Sequence, residues 1–115
     1  MTVIIYHNPR CSKSRQTLQL LRDNGIEPTI IDYLKVPPGK KELEDILMLL
    51  NMEPRDLMRK QEHEYKAAWL DNPKLSRNEL ISAMIQHPVL IERPIIIANH
   101  KAVIGRPPGK ALEII

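Results

Sequence analysis

The chain has 115 residues, of which 43% are hydrophobic and 27% charged, and its 17 basic and 14 acidic residues leave a formal net charge of +3. This length suits one domain with one hydrophobic core, and the composition is that of a globular protein, which excludes a disordered chain. The mild charge has no concentrated basic face, which argues against a nucleic-acid-binding protein. The single cysteine excludes an intramolecular disulfide, and therefore a disulfide-stapled secreted scaffold.

The sequence also lacks the signals of a membrane or exported protein. No apolar run approaches the roughly 20 residues that span a bilayer. The first ten residues, MTVIIYHNPR, do not show the basic start and long apolar run of a signal peptide. We therefore expect a cytoplasmic monomer that interacts with neither membrane nor nucleic acid and holds no metal or bound cofactor.

The first third of the chain alternates between strand and helix patterns. Residues 2–6, TVIIY, predict a buried strand because they are apolar and β-branched. Residues 12–25 predict a helix that Asn24-Gly25 ends, and residues 28–34, PTIIDYL, predict a second strand. Because a helix connects the two strands, we expect them to be parallel, in a right-handed crossover.

The next segment, residues 39–87, is mainly helical in pattern. Apolar residues recur at i, i+3, i+4 and i+7 of its first helix, namely Leu43, Ile46, Leu47 and Leu50. Pro54 predicts the start of a short helix over the residues PRDLMRK, and a further helical turn is expected at residues 65–69. The last helix of the segment opens with a capping box formed by Ser76 and Glu79.

The end of the chain returns to strands. Residues 94–105 predict an antiparallel hairpin that turns at Asn99-His100, and residues 107–115 predict a short helix. The complete order is therefore β-α-β, a helical block, and β-β-α. This order predicts an α/β protein with a thioredoxin-like fold and a small mixed sheet. We expect one domain over residues 1–115 with a helical insertion at about 39–90.

The lone cysteine, Cys11, lies at the predicted start of the first helix. Unpaired backbone N–H groups and the helix dipole favour negative charge there, which can lower a thiol pKa and produce a nucleophilic thiolate. His7 would add stabilisation if protonated, and Ser14, at the fourth position of Cys-x-x-Ser, can donate a hydrogen bond to the sulfur. The alternatives are a buried structural cysteine, a histidine with ordinary hydrogen bonds and a capping serine. The polar and basic neighbours favour the reactive thiol.

These residues also carry a resemblance. The stretch YHNPRCSKSRQTLQLLRDNG resembles the N-terminal motif of the glutaredoxin-linked arsenate reductase family. The similarity continues through EPTIIDYLKVPPGKKEL and DLMRK to HPVLIERPIIIANHKAVIGRPPGKALEII at the end of the chain. It therefore covers essentially the whole sequence.

The resemblance implies which residues bind substrate. Its three oxyanion-binding arginines correspond to Arg59, Arg93 and Arg106, and a cis Arg93-Pro94 bond is implied to face the cysteine. Guanidinium groups suit this role because their paired, always charged donors match a tetrahedral oxyanion. Taken singly, each would be read as a solvated surface charge. We assign Asn8 and Arg15 of the cysteine loop to the same substrate site.

The resemblance also implies a reaction. The Cys11 thiolate attacks arsenate, glutathione acts as co-substrate and reduces the arsenic, and glutaredoxin resolves the mixed disulfide left on Cys11. The absence of a second cysteine agrees, since the other thiol must then come from outside the chain.

Two features of the loop leave other functions open. The arsenate-resistance enzymes have small residues around the cysteine, and this chain has Arg10, Ser12 and Lys13 there instead. In this respect the loop resembles the chromosomal, arsenate-reductase-like branch of the family. The two basic residues either enlarge the positive field or narrow the site. The alternatives are a thiol oxidoreductase with another substrate, a thiol protein that is only glutathionylated, and an Spx-like regulator that binds RNA polymerase. Ser14 at the fourth motif position excludes an internal disulfide switch for such a regulator.

Overall fold

A computed structural model describes residues 2–115 of the chain. Its strands are β1 (Ile4–His7), β2 (Thr29–Asp32), β3 (Ile95–Ala98) and β4 (Lys101–Ile104). Its α-helices are α1 (Ser12–Asp23), α2 (Lys40–Leu50), α3 (His63–Ala67) and α4 (Arg77–Gln86), and short 3-10 helices lie at Pro54–Leu57, Pro88–Leu90 and Pro108–Ile114. None of the helices in the described residues is long and apolar enough to cross a membrane.

The described residues form two compact units. The first unit contains the chain up to Val36 together with Arg93–Ile115, and the second unit is Pro37–Glu92. All four strands and α1 belong to the first unit, whereas α2, α3 and α4 belong to the second. The predicted helical insertion at about 39–90 falls within the second unit, and the expectation of a single domain stays a prediction.

The sheet of the first unit has the strand order β2-β1-β3-β4. β1 is parallel to β2 and antiparallel to β3, and β3 is antiparallel to β4. The predicted βαβ-then-ββα layout of a thioredoxin-like fold is therefore confirmed. Because β1 and β2 run in the same direction, their carboxyl ends meet, and His7 is paired with Asp32 at the last position of the register. β1 also reaches His7 rather than ending at Tyr6 as the sequence predicted.

One hydrophobic core holds the first unit together. It contains Val3, directly before β1, and residues of β1, α1, β3 and the last 3-10 helix, namely Ile5, Leu18, Leu21, Ile96, Ala98, Ala111 and Ile114. α1 also buries Ser14 and Thr17, which lie in its first and second turns. Apolar residues in the second half of α1 thus anchor the helix, while the buried positions near its start carry polar side chains.

The second unit agrees with the sequence where the pattern is regular. α2 buries Leu43, Ile46 and Leu47 as its periodicity predicts. The capping box of α4 is confirmed: Ser76 Oγ accepts a hydrogen bond from the Glu79 backbone N–H at 3.2 Å. In return Glu79 Oε1 accepts one from the Ser76 backbone N–H at 3.1 Å.

Irregular segments differ from the predictions. The helix that begins at Pro54 is a 3-10 helix that ends at Leu57, because Met58 is extended and bridges to Ile91. The helical turn expected at residues 65–69 ends at Ala67, and Trp69 takes a left-handed φ of 57° with its side chain 78% exposed. The last predicted helix is likewise a 3-10 helix.

Candidate active site

Cys11 stands where the loop after β1 becomes α1. It is the N-cap residue of α1, with an extended backbone at φ −94° and ψ 123°. Its N–H donates to the Asn8 carbonyl at 3.0 Å, and its own carbonyl accepts the first helical bond from the Arg15 N–H at 3.0 Å. The side chain is only 8% exposed. The predicted position of the sulfur beside the free N–H groups of a helix start is therefore what the structure shows.

Groups around the sulfur lower its pKa. Burial alone raises the pKa of the Cys11 thiol, but three donors act in the opposite direction. They are the backbone N–H of Ser14, the Arg93 guanidinium, which contributes a hydrogen bond and its charge, and the backbone N–H of Lys13. Their combined effect is larger than that of burial, so the pKa of Cys11 lies below its ordinary value. A lowered pKa makes the nucleophilic thiolate more abundant at neutral pH.

Arg106 contacts the same sulfur. Its Nη2 lies 3.4 Å from Cys11 Sγ, and its Nε donates to the Arg93 carbonyl oxygen at 2.8 Å. The Arg93-Pro94 peptide bond is cis, as the resemblance implied, and the Arg106-Pro107 bond is cis as well, which the sequence did not predict. The two arginines predicted on opposite sides of the hairpin thus meet at Cys11.

Sequence reasoning missed the residue that allows this close approach, Gly105. Its N–H donates to the Pro94 carbonyl at 2.9 Å. A Cβ at this position would lie 2.8 Å from Thr17 Oγ1 and 2.9 Å from Pro94 Cγ, closer than real side chains come. Only glycine therefore lets α1, Pro94 and the segment leading to Arg106 pack this tightly. A glycine at the end of a strand, directly before a candidate ligand, was the available signal.

His7 and Ser14 interact with each other rather than as the sequence predicted. His7 Nδ1 and Ser14 Oγ are 2.6 Å apart, and Ser14 Oγ accepts the Asn8 backbone N–H at 3.0 Å. Burial lowers the pKa of His7; Asp32 opposes this, and Arg22 and Arg15 add to it. The neutral imidazole is thus favoured, so the condition under which His7 would stabilise the thiolate, its protonation, is disfavoured. Ser14 reaches the sulfur through its backbone N–H, since its hydroxyl is engaged with His7.

Asn8 and Arg15 shape the cysteine loop. The Oδ1 atom of the buried Asn8 accepts the Arg10 backbone N–H at 3.0 Å. Arg15 Nη1 donates to the Pro9 carbonyl oxygen at 2.9 Å. Both side chains therefore fix the backbone that precedes Cys11, and their assignment to the substrate stays a prediction.

Arg59, the third predicted oxyanion ligand, belongs to the second unit. Its side chain is 13% exposed, with Nε 3.1 Å from Glu62 Oε1 and Nη1 3.0 Å from Glu92 Oε1. Burial lowers the pKa of Arg59, but the two glutamates raise it by more, so the net direction is upward. The contacts described for this guanidinium are with carboxylates, and its role toward an oxyanion stays a prediction.

The arrangement at Cys11 suits attack on a small anion. It combines a thiol whose pKa is lowered with two guanidinium groups and the N–H groups of a helix start, and these donors attract negative charge. Within residues 2–115, no group of three or more histidine, cysteine, aspartate or glutamate side chains could hold a metal ion. The thiol, the guanidinium groups and the helix start themselves offer nucleophilic and electrostatic chemistry.

Known proteins share both the sequence and this fold. Residues 6–114 match the ArsC family. The chain is 50% identical to a protein of Haemophilus influenzae named arsenate reductase, over 100% of both chains. It is 53% identical to the uncharacterized protein YfgD of Escherichia coli K12, over 98% of this chain and 96% of that one. The structure of an arsenate reductase from Vibrio cholerae superimposes with a TM-score of 0.97 at 48% identity, covering 100% of this chain and 98% of that one.

Proposed function

Because the chain belongs to the ArsC family, we propose that it reduces arsenate to arsenite, with Cys11 as the nucleophile. The observation that carries the proposal is the contact between Cys11 Sγ and Arg106 Nη2 at 3.4 Å, at the start of a helix. Arg93 supports it, because its guanidinium lowers the pKa of the same thiol. Similar proteins that bear the name arsenate reductase supply the substrate class.

In the first step, arsenate binds to the guanidinium groups of Arg93 and Arg106 near the start of α1. The Cys11 thiolate then attacks arsenic, an S–As bond forms, and one arsenate oxygen leaves as water with two protons. Arsenic remains As(V) in this adduct. The two guanidinium groups keep donating as charge builds on the remaining oxygens, which is where preorganised donors lower the barrier.

In the second step, glutathione supplies the electrons. Its thiolate attacks the Cys11 sulfur, the S–As bond breaks, and the bonding electron pair stays on arsenic, which leaves as As(III) in arsenite. The two sulfurs have together lost two electrons and form a mixed disulfide. A glutaredoxin thiolate then attacks the glutathione sulfur and releases Cys11 as a thiolate. An external thiol is required, because Cys11 is the only cysteine of the chain.

A coupled assay tests this function. Purified protein is incubated with arsenate, glutathione, glutaredoxin, glutathione reductase and NADPH, and the oxidation of NADPH is followed. We expect arsenate-dependent oxidation with the native chain and none with Cys11→Ser. An exchange on the surface of the same unit, Lys101→Ala, serves as the control for handling and should behave as the native chain. Equal rates with and without arsenate would contradict the proposal and would favour a thiol oxidoreductase with another substrate.

A further inference from the structure

A cavity lies beside the loop that carries Cys11. Its volume is about 310 Å³, and its lining consists of Asn8, Pro9, Arg10, Asp32, Leu34 and Lys35. These residues come from the loop after β1 and from the end of β2 and the turn that follows, so the cavity opens at the carboxyl ends of the two parallel strands. Small-molecule sites begin at roughly this volume, in the range of about 300–1,000 Å³.

The cavity lies against the loop segment that directly precedes the nucleophile. The backbone carbonyl of Asn8, a lining residue, accepts a hydrogen bond from the Cys11 N–H at 3.0 Å. Arg10, which also lines the cavity, immediately precedes Cys11 in the chain. A molecule in the cavity therefore contacts the residues that lead directly into Cys11. The proposed function assigns the helix start, Arg93 and Arg106 to the oxyanion.

The charges of the lining have both signs. Arg10 and Lys35 are exposed cations, and Asp32 supplies a carboxylate whose Oδ1 accepts the Leu34 backbone N–H at 3.2 Å. A multiply charged oxyanion would be repelled by that carboxylate. A ligand with two negative groups and one positive group would match the two cations and the one anion.

We propose that this cavity binds glutathione as the reducing thiol, an inference that rests on the proposed function and extends it. Glutathione has two carboxylates and one ammonium group, which is the complement of Arg10, Lys35 and Asp32. Leu34 offers an apolar surface to its central part, and its thiol has to reach Cys11, the residue that follows Arg10. This assigns a function to Arg10. In the arsenate-resistance enzymes small residues surround the cysteine, and Arg10 replaces one of them here.

A binding experiment without arsenate tests the site directly. The ¹⁵N-labelled full chain is titrated with S-methylglutathione, whose blocked thiol cannot react, and amide shifts are followed by NMR. We expect saturable shifts at Asn8, Asp32 and Lys35. Lys35→Glu should weaken the affinity about fivefold or more, since an attraction becomes a repulsion. The matched control Lys101→Glu, on β4 at the opposite edge of the sheet, should change it less than about twofold.

The outcomes separate this inference from the proposed function. The glutathione site would be overturned by the absence of saturable shifts at the cavity residues, or by equal affinities of the native chain and Lys35→Glu. Arsenate-dependent turnover can still be present in either case. Binding in the cavity by a protein that shows no arsenate-dependent turnover would support the site and contradict the arsenate assignment. A rise in the KM for glutathione, but not for arsenate, in Lys35→Glu would support both.

Discussion

Two regions of the molecule use arginine in different ways. In the first unit, Arg106 Nη2 lies 3.4 Å from the Cys11 sulfur and Arg93 lowers the pKa of that thiol. In the second unit, Arg59 lies between two carboxylates, at 3.1 Å from Glu62 and 3.0 Å from Glu92. The first arrangement favours a new negative charge on sulfur, whereas the second neutralises charges that are already present. We therefore expect exchanges near Cys11 to change chemistry more than stability, and exchanges at Arg59 to lower stability.

Replacing Arg93 by lysine should have the largest effect on activity. Lysine keeps the charge but lacks the planar, paired donors, so we expect kcat/KM for arsenate to fall by about 10²–10³-fold, as for the loss of one oxyanion-binding donor. The free energy of unfolding should change by less than about 1 kcal/mol. Steady-state kinetics and urea denaturation measure the two effects. The same exchange at the exposed Arg77 is the control, and unchanged arsenate affinity in Arg93→Lys would exclude Arg93 as a ligand.

Gly105→Ala should lower stability most in the first unit. The added Cβ would lie 2.8 Å from Thr17 Oγ1 and 2.9 Å from Pro94 Cγ, so α1 or the Pro94 segment must move. We expect a loss of about 1–3 kcal/mol in the free energy of unfolding, together with lower activity. Gly109→Ala is the matched control, because nothing lies within 4 Å of the Cβ it would add. Equal urea midpoints for the two variants would show that the contact at Gly105 is not tight.

Arg59→Met tests the structural contribution of the second arrangement. The substitution keeps much of the apolar stem but removes the guanidinium that faces Glu62 and Glu92. We expect the free energy of unfolding to fall by about 1–2 kcal/mol, because the bonds are charged and only partly exposed. Arg77→Met removes a more exposed guanidinium and should lower the free energy of unfolding by less than Arg59→Met does. Thermal or urea unfolding of the two variants measures the difference. An Arg59→Met variant as stable as the native chain would contradict this reading of the contacts.

The smallest expected effect concerns pH. Burial lowers the pKa of His7 in the folded state, so below its ordinary value of about 6.5 the unfolded chain binds a proton that the folded chain does not. The contribution of His7 to stability is therefore complete above pH 6.5 and is lost as the pH falls toward the lower pKa of the folded state. His7→Gln should flatten the dependence of stability on pH in this window. Parallel unfolding profiles of the two proteins would exclude His7 as its source.

The sequence predicted the parts of the site that depend on local pattern. A short apolar strand, a polar loop and an amphipathic helix were sufficient to place Cys11 at a helix start. Gly105 was missed because its role depends on Thr17, which is 88 positions away in the chain, and no local pattern reports such a contact. The bond between Ser14 and His7 was missed for a related reason, since the two residues are seven positions apart and only the folded loop brings them together.

Trp69 shows the opposite case, in which a local pattern was misleading. The sequence predicts a helical turn over residues 65–69, but Trp69 has a left-handed φ of 57° and is 78% exposed. α3 ends at Ala67, so Trp69 lies beyond the helix and its spacing from Tyr65 does not place it on a helical face. Periodicity in so short a segment is weaker guidance than in α2.

The activation of Cys11 is tested most directly by the pH dependence of its alkylation by iodoacetamide. The chain has one cysteine, so the reaction reports on this thiol alone. Because nearby backbone N–H groups and Arg93 lower the pKa of Cys11, the reaction midpoint of the folded protein should lie below about 8.5, the ordinary value for cysteine. In denaturant the midpoint should return to about 8.5. The same midpoint in the folded and denatured protein would contradict the account of Cys11 as an activated thiolate.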